Sequence, residues 1–195
     1  MAIRHVEPPA EALNVALAGL RRLCETGAVS SPALRRVPVD QLRLTRPQPV
    51  YLLGLDELRD GRGLDAARSI GWRYLVESNT SDQPLALAET AALPNGAQTF
   101  THLNYGPFVA GTAVALSAAE QTMAIDAEIR LLHVPALYFV ALWLEDPAGP
   151  VLIPVAPAPP GIVANRGYPA RQLLDVLTTR ARALPVIAAE DNRGL

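Results

Sequence analysis

Residues 69–78, Ser-Ile-Gly-Trp-Arg-Tyr-Leu-Val-Glu-Ser, carry the clearest pattern in the chain. Every second position holds a bulky apolar side chain: Ile70, Trp72, Tyr74 and Val76. The positions between them are Gly71, Arg73, Leu75 and Glu77. Because successive side chains of a strand point to opposite faces, this period of two predicts a half-buried β-strand. The fold therefore includes a β-sheet to which this strand belongs.

Further strands are predicted on both sides of residues 69–78. Residues 50–55, VYLLGL, predict a buried strand. Residues 85–93 fit a strand with Leu85, Leu87, Ala91 and Leu93 on one face, although their alanines also suit a helix. Pro94-Asn95-Gly96 then predicts a turn, and residues 98–103 are too short to assign.

The second half of the chain contains the most apolar segment, residues 129–144. Pro135 is expected to divide this segment or to mark a bulge, because proline cannot donate a hydrogen bond within a sheet. Residues 138–144 and 151–155 flank a turn rich in proline and glycine, so they predict a β-hairpin.

Three helices are predicted, at residues 8–26, 107–122 and 169–184. The second helix is apolar almost all round, which is typical of a helix in a core or an interface. Residues 28–48 are rich in proline and arginine and predict an extended connector, and residues 188–195 predict a flexible tail. The sequence thus predicts one α+β domain over residues 1–195. Its largely antiparallel sheet of about five strands follows the order α-βββ-α-ββ-α.

The composition narrows the classes of function. Of the 195 residues, 50% are hydrophobic and only 18% are charged, which excludes a disordered chain. The formal net charge of −2 gives no reason to expect nucleic acid as a partner. The apolar run 131–144 is too short to span a membrane, so we expect a cytoplasmic protein. The three histidines have no spacing typical of a metal site, and we predict neither a metal nor a cofactor.

The best candidate for a binding site is the polar stretch 99–107, just before the second helix. His102 could act as an acid or a base near neutral pH, while Asn104 and Tyr105 could orient a ligand. Arg73 or Glu77 could converge on the same place. The structural alternative is that Asn104 caps the helix, Tyr105 packs as a rim residue and His102 is exposed.

His133 lies within the apolar segment and is interpreted as a neutral core histidine with one hydrogen-bonded nitrogen.

Two functions follow from these features. The preferred hypothesis is a non-enzymatic binding or scaffold protein that acts as a homo-oligomer or with a protein partner. It rests on the apolar segments 108–119 and 131–144, which could form a shared face, although both could equally be internal. The alternative is a small-molecule enzyme with its site around residues 101–107. A pocket at the start of the second helix would favour this alternative.

Overall fold

The computed structural model describes residues 4–122, 127–146 and 148–185. These residues contain five α-helices and nine strands, and all nine strands belong to one mixed but mostly antiparallel sheet. The α+β class is therefore confirmed, whereas the prediction of about five strands in the order α-βββ-α-ββ-α is wrong, since a strand at Arg4–His5 precedes the first helix and four strands follow the helix Pro107–Thr122. The predicted tail at residues 188–195 lies outside the described residues.

The strands are β1 (Arg4–His5), β2 (Leu42–Leu52), β3 (Arg68–Ser78), β4 (Ser81–Ala92), β5 (Gln98–Asn104), β6 (Glu128–Val134), β7 (Phe139–Glu145), β8 (Val151–Pro154) and β9 (Tyr168–Pro169). Their order in the sheet is β5-β4-β3-β2-β6-β7-β8-β9, with β1 beside β6. The β2–β6 and β1–β6 pairs are parallel, and the other neighbours are antiparallel. The β7–β8 pair is the predicted hairpin.

The helices are α1 (Ala10–Glu25), α2 (Pro32–Arg35), α3 (Leu55–Arg59), α4 (Pro107–Thr122) and α5 (Ala170–Ala183). Helix α4 packs on one face of the sheet, which we call the α4 face. The opposite face is covered by α1 over β3–β5 and by α5 with α3 over β6–β8, and we call it the α1/α5 face. In the described part of the chain, no helix has both the length and the apolar character that a membrane crossing requires.

One prediction of secondary structure is wrong, and the structure also adds two short strands and resolves two ambiguous segments. Residues 28–48 are not a plain connector, because they form α2 and the first half of β2. Pro47 is accommodated where the β2–β3 register is irregular, between Thr45 and Gln48, so that no ladder hydrogen bond is needed from it. The β1 and β9 strands are two residues long, too short to produce a periodic pattern. The ambiguous residues 85–93 and 98–103 are both strand, within β4 and β5.

Segment 131–144 lies mostly inside the molecule, whereas the helix of segment 108–119 is buried on one side and leaves Val114 exposed. Helix α4 buries Val109, Ala115, Leu116 and Ala119 against the sheet. It lies so close to the end of β8 that a Cβ at Gly111 would lie 2.0 Å from the Ala156 carbonyl oxygen. Residues 131–144 supply the central strands β6 and β7, with the intervening turn at Pro135–Leu137 on the surface.

Candidate functional site

A cavity of about 280 Å³ opens on the α4 face, beside the first turn of α4. Its polar wall is formed by side chains from four strands and one turn: Arg73, Glu89, His102, Asn104, His133 and Tyr138. Phe108, Pro135 and Val140 complete the lining with apolar surface. A few convergent polar groups on an apolar background are typical of a small-molecule site.

The register of the strands explains why these side chains meet. Leu75 and Leu87 face the core beneath α4, so Arg73 and Glu89, two residues away on their strands, face the same side. Cross-strand pairing places Arg73 beside Glu89 and Glu89 beside His102. Three adjacent strands therefore present Arg73, Glu89 and His102 as a row.

His133 joins this row from a distant strand. Strands β4, β3 and β2 separate β5 from β6. The side chains of His102 and His133 nevertheless line the same cavity.

An ion pair forms the base of the cavity. Glu89 Oε1 accepts hydrogen bonds from Arg73 Nε and lies within 2.7 Å of Arg73 Nη2. Only 6% of the Arg73 side chain and 15% of the Glu89 side chain are exposed. Removing both charges from water is costly, and the close contact between them offsets that cost. Arg73 Nη1 is also buried, and it has no acceptor among the described residues.

The second oxygen of Glu89 faces the imidazole of His102. Glu89 Oε2 lies 3.7 Å from His102 Nε2, and 55% of the His102 side chain is exposed to solvent. Arg73 therefore holds the carboxylate in place, and the carboxylate can orient the ring at the mouth of the cavity.

His133 has a different environment. Its side chain is half-buried, and neither ring nitrogen bonds to a described residue. Burial lowers the pKa of His133 below its ordinary value, and the positive charge of Arg73 acts in the same direction. The expected neutral ring is thus supported, but the expected hydrogen-bonded nitrogen is not found. The cavity therefore holds one exposed imidazole beside a carboxylate and one less accessible, neutral imidazole.

The end of β5 and the turn after β6 supply the remaining polar groups. Asn104 Oδ1 accepts a hydrogen bond of 2.9 Å from the Gly106 N–H, which fixes the turn just before the helix. Tyr138 is 86% exposed and has φ 49° and ψ 39°. A bulky residue in this left-handed region is strained, and such strain tends to occur at functional sites.

Two of the residues predicted for the site lie elsewhere. Tyr105 turns to the opposite side of β5, where it lines a groove with α1; burial raises its pKa, with a smaller contribution from Cys24. Glu77 is buried near the far end of β3, and its Oε2 lies 3.5 Å from Arg43 Nη2. It is four residues from Arg73, roughly 13 Å along a strand, so the two do not converge.

Three polar residues of the cavity lie outside the predicted site: Glu89, Tyr138 and His133, which is predicted as a core histidine. A signal for Glu89 was present, because it occupies the same face of β4 as Leu87 and Ala91. A carboxylate within an apolar face must be paired, and Arg73 on the neighbouring predicted strand was the available cation. No sequence signal identifies Tyr138, because its position depends on how the chain turns after Pro135.

Among the described residues, no group of three His, Cys, Asp or Glu side chains is arranged to hold a metal ion. Comparisons of the chain with protein-family models, with curated proteins and with solved structures found no match.

Proposed function

We propose that this protein is an enzyme that transfers protons to and from a small polar molecule bound in the cavity. The observation that supports it is the row Arg73–Glu89–His102, in which a buried ion pair presents a carboxylate oxygen 3.7 Å from an imidazole nitrogen. An ion pair is a poor choice for stability alone, because apolar side chains of similar volume serve a core as well or better. Its position at a cavity wall favours a functional role.

The two imidazoles have complementary roles in this proposal. His133, with its lowered pKa, is the base that accepts a proton from the bound molecule. His102, which lies beside Glu89, is the acid that donates a proton to the opposite side of the bound molecule. It then takes up a new proton from solvent. Asn104 and Tyr138 orient the molecule. A cavity of about 280 Å³ is at the lower end of the range for ligand sites, which favours a small metabolite.

Proton transfer can be tested without knowing the natural substrate. The protein is incubated in D₂O with a panel of small hydroxy acids, keto acids, amino acids and sugar phosphates, and exchange of carbon-bound hydrogen is followed by NMR. We expect exchange in at least one panel member, and its loss in His102→Gln and in His133→Gln. His5→Gln is the matched control, since His5 lies on β1 away from the cavity, and it should retain exchange.

Two outcomes would contradict the proposal. One is exchange that persists in both cavity variants. The other is the absence of both exchange and any shift of the His102 and His133 ring signals across the panel.

The scaffold hypothesis stays a prediction: most of segment 131–144 is buried within the chain, whereas α4 is buried on one side only and leaves Val114 exposed. Large exposed apolar side chains are scattered over the described residues: Leu93, Val114, Tyr138, Val163 and Val176. Homo-oligomerisation likewise stays a prediction.

A further inference from the structure

Strand β5 is one edge of the sheet, and its outer side is not covered by another strand of the described chain. At the other end of the sheet, β9 has only two residues and one of them is Pro169, which makes that edge unsuitable for pairing. β5 has seven residues, with no proline and no Lys, Arg, Asp or Glu, and a single bulge lies at Thr101. Long edges without such protection are templates for pairing with another strand.

A groove of about 840 Å³ runs beside this edge, between α1 and β5. Its lining is mainly apolar, with Val15, Ala18 and Leu23 from the helix and Phe100 from the strand. Gly19 lets the helix approach closely, since a Cβ there would lie 2.2 Å from the Phe100 ring. The only residue of the groove that carries a permanent charge is Arg22.

The face of α1 that borders the groove is complementary to itself. Glu11, Val15, Ala18 and Arg22 follow one another at intervals of four, three and four residues, which places them in one row along the helix. The row has an acid at its start, a base at its end and small apolar residues between them. When two such rows meet in antiparallel order, Val15 faces Ala18, and Glu11 faces Arg22 at both ends.

Antiparallel pairing of two β5 strands and antiparallel packing of two α1 helices are compatible with one twofold axis. Helix α1 packs on both β5 and β4, so its axis lies over the outermost pair of strands. Adding a second β5 at one strand spacing places the two α1 axes about 10 Å apart, close to the distance at which helices pack. Glu11 Oε1 accepts a hydrogen bond from the Gln98 N–H, which ties the start of the helix to the start of the strand.

We propose that a second copy of this chain docks on this groove. The two β5 strands lie side by side in antiparallel order, and the two α1 helices pack across a twofold axis with Glu11 of each copy beside Arg22 of the other. The interface is isologous, so it closes as a dimer. The dimer does not require the chemistry proposed for the cavity, but the two sites adjoin, because His102 lines both the groove and the cavity.

The first experiment measures mass against concentration by analytical ultracentrifugation of the full chain. We expect a species of twice 20.8 kDa at micromolar concentration. Ala18→Arg places a large charged side chain in the groove and should raise the dimer dissociation constant about tenfold or more. Asn14→Arg is the matched control, because Asn14 is exposed on the same helix but does not line the groove. A monomer at every concentration, or an Ala18→Arg variant that dimerises as well as Asn14→Arg, overturns the proposal.

The second experiment tests the antiparallel order. Glu11→Arg alone creates Arg–Arg contacts, and Arg22→Glu alone creates Glu–Glu contacts, so each variant should be largely monomeric. A mixture of the two restores an Arg–Glu contact at both ends and should form a heterodimer, detected by native mass spectrometry. Circular dichroism of each variant confirms that it is folded. Two folded monomeric variants that fail to associate when mixed would overturn the antiparallel arrangement.

Discussion

The two faces of the sheet differ in how many polar groups they bury. The α1/α5 face is an ordinary core, in which α1, α3 and α5 bury aliphatic and aromatic side chains. The α4 face has a comparable apolar cluster, but it also buries polar groups of Gln48, Arg73, Glu77 and Thr112. Each of these four residues has a buried polar atom with no partner among the described residues.

The unpaired polar atoms indicate that the α4 face has lost folding stability for the sake of a functional site. An unpaired buried polar atom typically costs about 1–3 kcal/mol, so a fold selected for stability alone would avoid several on one face. On the α4 face they lie on the same side of the sheet as the cavity and the Arg73–Glu89 pair. Tyr74 is the comparable case on the other face, where its buried hydroxyl also lacks a partner and burial raises its pKa.

The largest expected effect comes from breaking the ion pair of the α4 face. Glu89→Ala leaves the Arg73 charge buried without a counter-charge, and we expect the free energy of unfolding to fall by about 3–5 kcal/mol. Glu128→Ala is the control, because Glu128 contacts Arg4 and Arg130 in a more exposed position, where such pairs contribute about 1 kcal/mol or less. Chemical denaturation of both variants measures the difference.

A double variant tests whether the ion pair itself is needed for stability. Arg73→Met with Glu89→Leu replaces the pair by apolar side chains, as on the opposite face, and its stability should lie within about 1 kcal/mol of the wild type. Proton exchange in the cavity should nevertheless be lost. A double variant as unstable as Glu89→Ala would show that the pair is needed for folding, and the contrast between the faces would then fail.

Much of this contrast could be anticipated from the sequence, but the cavity could not. The alternation in residues 69–78 predicts which face of β3 carries Arg73 and Leu75, because period two is a local property. His133 lines the same cavity as His102 only because of the order in which strands far apart in the chain pair. The parallel β2–β6 pairing joins residues about 80 positions apart, and no local pattern specifies such a pairing.

A matched pair of smaller substitutions compares the faces directly. Thr112 on α4 has a buried hydroxyl without a partner, whereas the Thr90 hydroxyl on the α1/α5 face donates to Gln98 Oε1 at 3.3 Å. We expect Thr112→Val to raise the free energy of unfolding by about 1 kcal/mol, because it removes an unsatisfied group. Thr90→Val should lower it by a similar amount. Equal effects in the two variants would contradict the distinction.

The smallest expected effect is a pH dependence that arises from the cavity. Because burial lowers the pKa of His133 in the folded protein, the unfolded chain binds a proton more readily than the folded one below about pH 6.5. Stability should therefore fall as the pH drops through that value, and His133→Gln should remove this part of the dependence. Burial also lowers the pKa of His5. The His133→Gln variant should therefore keep the part of the pH dependence that comes from His5. Unfolding free energies measured between about pH 5 and pH 8 provide the comparison, and curves that stay parallel for the two proteins would show that His133 is not held neutral by the fold.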